Sequence, residues 1–134
     1  MPELPEVEVV RKGLAKHIKN RTIQSVKVKN KRALRNFEFS TKTFEKTVSG
    51  LVIKNVERRG KFLWMTLKDS TQAISAHLGM SGQMLMVKKD DKSSPHSRVV
   101  FEFADKKRNL HFVDQRTFGW VNLEDLVEAK DKRK

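Results

Sequence analysis

Between Leu51 and Leu123 no apolar stretch runs far enough to build a long helix. Short apolar segments with strand-like composition follow one another: Leu51 to Arg58, Lys61 to Lys68, Gln72 to Leu78, Gln83 to Val87, Arg98 to Phe103, Leu110 to Val113 and Trp120 to Leu123. Breakers separate them at Gly60, Asp69-Ser70, Gly79, Gly82, Lys88 to Pro95 and Asp105 to Asn109. Many short strands joined by close turns are the pattern of an antiparallel sandwich or barrel. An earlier strand is expected at Ile23, Val26 and Val28, where the apolar period is near two.

The first residues break this pattern and read as a helix. Pro5 suits a first helical turn, and Glu3, Glu6 and Glu8 suit its positive end. Val7, Val10, Leu14 and Ile18 recur at spacings of three and four, one apolar stripe. Arg11, Lys12, Lys16 and Lys19 lie toward the C-terminal end, where cations are favoured. Ser40 is placed to cap a second, shorter helix carrying Phe44 and Val48, and Lys29 to Asn36 reads as a basic, polar connection. The expected fold is therefore mainly β: a two-sheet antiparallel β-sandwich with an N-terminal α-helix and a shorter flanking one. One domain is expected over residues 1–123, with residues 124–134 a charged tail ending in Lys130-Asp-Lys-Arg-Lys134.

Charge narrows the function. Lys and Arg number 29 against 16 Asp and Glu, a net charge of +13. An excess of that size favours a polyanionic partner, most often nucleic acid. An anionic membrane surface or a merely basic soluble protein are the alternatives, but no long basic amphipathic helix stands out. No apolar run approaches the ~20 residues of a membrane span, and early glutamates are unlike a secretory signal. A soluble, cytoplasmic protein is expected. There is no cysteine, so no disulfide, thiol nucleophile or Cys-based zinc site is available. The four histidines, His17, His77, His96 and His111, lack a metal-ligand spacing, and no metal is expected in the chain.

Four strings stand out in order: Met1-Pro-Glu-Leu-Pro-Glu-Val-Glu8, Arg58-Arg-Gly-Lys-Phe-Leu63, His77-Leu-Gly-Met-Ser-Gly82 and Asp114-Gln-Arg-Thr-Phe-Gly119. Together they resemble the bacterial formamidopyrimidine-DNA glycosylase family, along essentially the whole chain. The resemblance implies a base-excision repair enzyme that removes oxidised purines (8-oxoguanine, formamidopyrimidines) from damaged double-stranded DNA and cuts the strand at the abasic site. It implies a monomer associated with the bacterial nucleoid. Leu4 favours this branch over the similar endonuclease VIII branch, which usually has Gly there. Family members run about twice as long and carry a helix-two-turn-helix motif and a four-cysteine zinc finger in a second half, so zinc is expected there and no cofactor in this chain. A non-catalytic DNA-binding domain fragment is one rival reading; a generic basic RNA-binding or ribosomal protein is another.

By the same resemblance Pro2 is the nucleophile, Glu3 the acid/base group at the deoxyribose and Glu6 a carboxylate supporting proton transfer. Removal of Met1, favoured by a small second residue, would leave Pro2 a secondary amine. Its unprotonated form attacks an aldehyde carbon to form a Schiff base. An α-amino group has a pKa near ~8, so a useful fraction is unprotonated at neutral pH. With Met1 attached, that nitrogen is an amide and cannot react. The family assigns Lys61, His77 and His96 to phosphate near the lesion. Met80, Arg116 and Phe118 resemble the family's set that fills the hole left by the extruded nucleotide. That task suits a flexible apolar chain, an aromatic wedge and a planar fork of donors. Arg116 counts as DNA-binding on both grounds. Two positions depart from the family pattern: Arg98 stands where a second histidine is usual, and Thr117 where a basic residue is frequent.

Overall fold

The structure, a computed structural model, describes residues 4–34, 41–59, 62–79, 82–89, 91, 95–104, 108–115 and 119–125, excepting the side chains of residues 4–7 and 125. It holds two four-stranded sheets, with the strands β1 (Ile23–Val28), β2 (Ile53–Arg59), β3 (Phe62–Leu67), β4 (Gln72–His77), β5 (Gly82–Lys88), β6 (Ser97–Phe103), β7 (Arg108–Asp114) and β8 (Trp120–Asp125). One sheet runs β1-β6-β7-β5 and the other β2-β3-β4-β8, with every pairing antiparallel. The expected sandwich is the observed one.

Alternation explains most of the core. Met84, Val99, Phe101, Phe103, Leu110 and Phe112 from one sheet meet Leu63, Met65, Leu67, Ile74, Val121 and Leu123 from the other. Helix α1 (Leu4–Ile18) packs against β2 and reaches β5, burying Leu14 and Ile18 of the expected stripe; Val10 packs partly buried against them. Asn20 closes the helix with a positive φ of 68° and donates its N–H to the Ile53 carbonyl at 2.8 Å. Asparagine tolerates that left-handed conformation better than most residues. Helix α2 (Thr41–Val48) buries Phe44 and Val48 and packs on β1, as expected; the Ser40 cap lies outside the described residues.

The connection after β1 departs from its polar appearance. The Asn30 side chain accepts the Arg32 N–H at 2.9 Å and starts a 3₁₀ turn at Lys31–Ala33. Ala33 and Leu34 are then buried, and Leu34 forms a parallel bridge to Val121. Strand β8 continues two residues beyond Leu123 because Glu124 and Asp125 stay in register with Ala73 and Gln72. Among the described residues no helix is long and apolar enough to cross a membrane.

Candidate nucleic-acid interface

Register gathers the singled-out strings at one end of the sandwich. In the second sheet Arg59 pairs with Phe62, Phe62 with His77, and His77 with Trp120. In the first sheet Gly82 pairs with Asp114, and Ser97 with Val113. Two connections cross between the sheets there, β4 to β5 and β7 to β8. The first closes through the Gly82 N–H on the Leu78 carbonyl at 2.7 Å. The second closes through the Gly119 N–H on a buried carboxylate oxygen of Asp114 at 2.6 Å.

The bases of these two connections touch. A Cβ on Gly119 would sit 2.5 Å from the His77 carbonyl oxygen, 3.0 Å from that of Leu78 and 2.9 Å from the Phe112 ring. A Cβ on Gly82 would collide with the Leu78 carbonyl. Glycine is needed at both places because one backbone lies directly against another.

Of the expected site residues, Met80 lies in sequence between Gly79 and Gly82, and Arg116 and Phe118 between Gln115 and Gly119. Pro2, Glu3, Lys61, Met80, Arg116 and Phe118 lie outside the described residues, and Glu6 is described only as backbone in α1. What the structure brings together is their flanks: Arg59 and Phe62, Gly79 and Gly82, Gln115 and Gly119.

His77 is at the centre of this end. Its Nδ1 accepts the Gly79 N–H at 3.1 Å. The neutral ring therefore carries its proton on Nε2. The ring meets Phe62 edge-on at 4.7 Å and stacks on Trp120 at 5.8 Å and 15°. Trp120 was not anticipated from the sequence; only the His77–Trp120 register reveals it. His96 is half-buried, and its carbonyl accepts the Asp114 N–H at 3.0 Å.

The N-terminal helix is tied to the same end by a carboxylate. Glu8 accepts from Arg11 at 2.7 Å and from Arg58 of β2 at 2.9 Å, while Arg11 also reaches the Val56 carbonyl at 3.4 Å. Hydrogen bonds from Arg11 and then Arg58 hold the Glu8 carboxyl down at about 2. From the sequence, Glu8 reads only as helix-start chemistry, and its i,i+3 spacing from Arg11 is the one local signal. The bond to Arg58 spans 50 residues and has no local signature. Among the described residues no group of three or more His, Asp or Glu is placed to hold a metal ion.

Residues 1–121 match the family model of the formamidopyrimidine-DNA glycosylase N-terminal domain. The chain belongs to this family. It is 46% identical over 123 residues to the formamidopyrimidine-DNA glycosylase of Salinispora arenicola, covering 92% of this chain and 42% of that protein. It is 45% identical over 140 residues to that of Corynebacterium glutamicum strain R, covering 99% and 49%. The chain thus spans less than half the length of these relatives. Among solved structures it resembles an inhibited Lactococcus lactis Fpg bound to DNA containing N7-benzyl-Fapy-dG, with TM-score 0.88, 29% identity, and coverage of 98% of this chain and 47% of that one. It also resembles the Lactococcus lactis Fpg in complex with DNA containing an abasic site, with TM-score 0.86, 28% identity and the same coverage.

Proposed function

We propose that this chain supplies the catalytic N-terminal domain of a bifunctional DNA glycosylase/AP lyase that excises oxidised purines during base-excision repair. The observation that carries the reading is the meeting of the motif flanks at one end of a basic sandwich, in a chain whose family match runs from residue 1 to 121. The solved relatives hold abasic or Fapy-containing DNA, which supports damaged duplex DNA as the partner.

In this reading the Pro2 amine, freed of Met1, attacks C1′ of the damaged nucleoside, the base departs with a proton and the amine gives up its own, leaving a ring-closed aminal. The C1′–O4′ bond then breaks as O4′ takes a proton from Glu3, and the nitrogen lone pair forms the iminium, which is permanently cationic because the amine is secondary. It withdraws electrons from the sugar and permits β- and then δ-elimination of the flanking phosphates. Glu3 exchanges protons with the deoxyribose, and Glu6 supports the transfer. Lys61, His77 and His96 meet phosphate; the Nε2–H of His77 is a suitable donor. Met80, Arg116 and Phe118 fill the space of the extruded nucleotide, whose lost stacking costs a few kcal/mol. The zinc finger implied by the resemblance would come from outside these 134 residues, which contain no cysteine.

The test is borohydride trapping on a duplex with an abasic site, read by intact mass. Protein lacking Met1 is expected to form a covalent adduct. Pro2→Gly is expected to trap far less while still binding DNA. Undiminished trapping by Pro2→Gly would remove the nucleophilic role from Pro2. A Met1-free chain that binds the duplex without trapping would favour a non-catalytic binding domain.

A further inference from the structure

We propose that Arg98 is a positioning residue that sets the β7–β8 connection, and through it the discrimination between damaged and intact DNA. This rests on the reading above that residues 116–118 enter the duplex. The obvious alternative is a phosphate contact, since Arg98 is a cation near the interface end in a strongly basic chain.

The backbone argues for positioning. Strand β6 pairs Ser97 with Val113 but Val99 with Phe112, so Arg98 is the extra residue of a β-bulge. A bulge re-aims a side chain and is characteristic of strand segments beside functional sites. The bulge is itself anchored: the Arg98 carbonyl accepts the N–H of Lys29 at 2.8 Å and of Asn30 at 3.3 Å. Asn30 is in turn the residue that caps the 3₁₀ turn.

The side chain then turns back onto the protein. Its Nε donates to the Asp114 carbonyl at 2.9 Å, and a terminal nitrogen donates to the Gln115 carbonyl at 3.2 Å. These are consecutive carbonyls at the point where the β7 ladder ends. A planar guanidinium offers the two parallel donors this needs, whereas an ammonium is a point charge. The other end of the connection returns to the same residue, because Gly119 donates to the Asp114 carboxylate. Arg98 therefore holds the residue at which both ends of the connection meet.

The two roles differ in their salt dependence. A phosphate contact contributes about 0.9 to the slope of log K against log salt; a residue bound to its own backbone contributes little. The experiment titrates the chain and its Arg98→Gln and Arg98→Lys variants onto two duplexes across a sodium chloride series. One duplex is intact and the other carries a tetrahydrofuran abasic-site analogue. Amide exchange at Gly119 is followed in parallel.

Arg98→Gln is expected to leave the slope nearly unchanged and to lower the preference for the abasic duplex about tenfold, the equivalent of one charge-assisted hydrogen bond. Its Gly119 amide is expected to exchange faster. Arg98→Lys, which keeps the charge, is expected to recover only part of the preference. A slope smaller by about 0.9 with the preference intact would make Arg98 a phosphate contact and overturn the proposal. Full recovery by lysine would do the same, because charge alone would then suffice. If the unaltered chain shows no preference between the duplexes, the lesion-binding reading fails. Gly119 exchange still decides the role of Arg98 in that case, and unchanged exchange in Arg98→Gln overturns it.

Discussion

Replacing Asp114 by alanine would remove the acceptor that closes the β7–β8 connection. The Asp114 side chain is fully buried, Gly119 is buried, and the bond between them is 2.6 Å long. A hydrogen bond to a charged acceptor contributes ~1.5–3 kcal/mol, and a buried N–H left without an acceptor costs ~1–3 kcal/mol. The two overlap, since one is largely the consequence of the other, and about 3 kcal/mol is the expected loss for Asp114→Ala. Asp114→Asn keeps an oxygen for Gly119 but loses the charge, so its expected cost is about 1 kcal/mol. For a chain of this size each kcal/mol moves Tm by roughly 4 °C. Thermal unfolding followed by circular dichroism should then place Asp114→Ala about 12 °C below the unaltered protein and Asp114→Asn about 4 °C below it. A shift of less than about 2 °C for alanine would show that Gly119 finds another acceptor at no cost, and the connection would not depend on this carboxylate.

Two further outcomes follow from the same end of the fold and from the β1-β6-β7-β5 sheet. Gly119→Ala places a methyl group within 2.5 Å of a backbone oxygen, an overpacking expected to cost about 3 kcal/mol, read as a lower urea midpoint with an unchanged m-value. An unchanged midpoint would mean that the His77–Leu78 backbone yields freely. His111 is buried, 2.9 Å from the Ser97 hydroxyl, and burial followed by the nearby Lys29 charge lowers its pKa from the usual value near 6.5. The unfolded chain therefore binds a proton at a pH where the folded chain does not. Stability from this group is complete above ~6.5 and is lost as pH falls from there toward the lowered folded value. Tm should decline between pH 7.5 and 5.5, and less steeply in His111→Gln; equal slopes would assign the decline to other groups.

Although Gly82, Lys88, Arg108, Asn109 and Glu124 continue strands instead of ending them, the strands were legible because turn-forming residues separate most of them. Asp69, for example, adopts a positive φ of 55° in the turn that ends β3. Their faces were legible wherever period two held. The bulge at Arg98 was not, since Ser97-Arg98-Val99 alternates like any strand and only the partner β7 shows the added residue. Burial of Leu34 was hidden for a similar reason: it depends on a bridge to Val121, far along the chain. In the candidate site, the strings themselves could be picked out by order and residue type. Their convergence could not, because it follows from two sheet-to-sheet crossings at one end. Glu8 shows the limit most directly. Helix-start chemistry explains its presence, but not that its carboxylate also ties α1 to Arg58 of β2.

The charge and the glycines divide the proposed work between them. On the proposed function, a net charge of +13 would bind any duplex through its phosphates, and such binding weakens steeply with salt without distinguishing damaged from intact sites. Discrimination must come from groups whose positions are set before DNA arrives, because extruding a nucleotide already costs a few kcal/mol and leaves little to spend on ordering loops. On the proposed function, the described residues at the base of the two connections would supply part of that ordering. Gly119 lies against His77 and Leu78, Asp114 closes one connection, and Arg98 holds Asp114 from a bulge on the neighbouring strand. A substitution at any of these three should therefore weaken selection of the damaged site more than affinity for DNA, whereas neutralising a surface lysine should do the reverse.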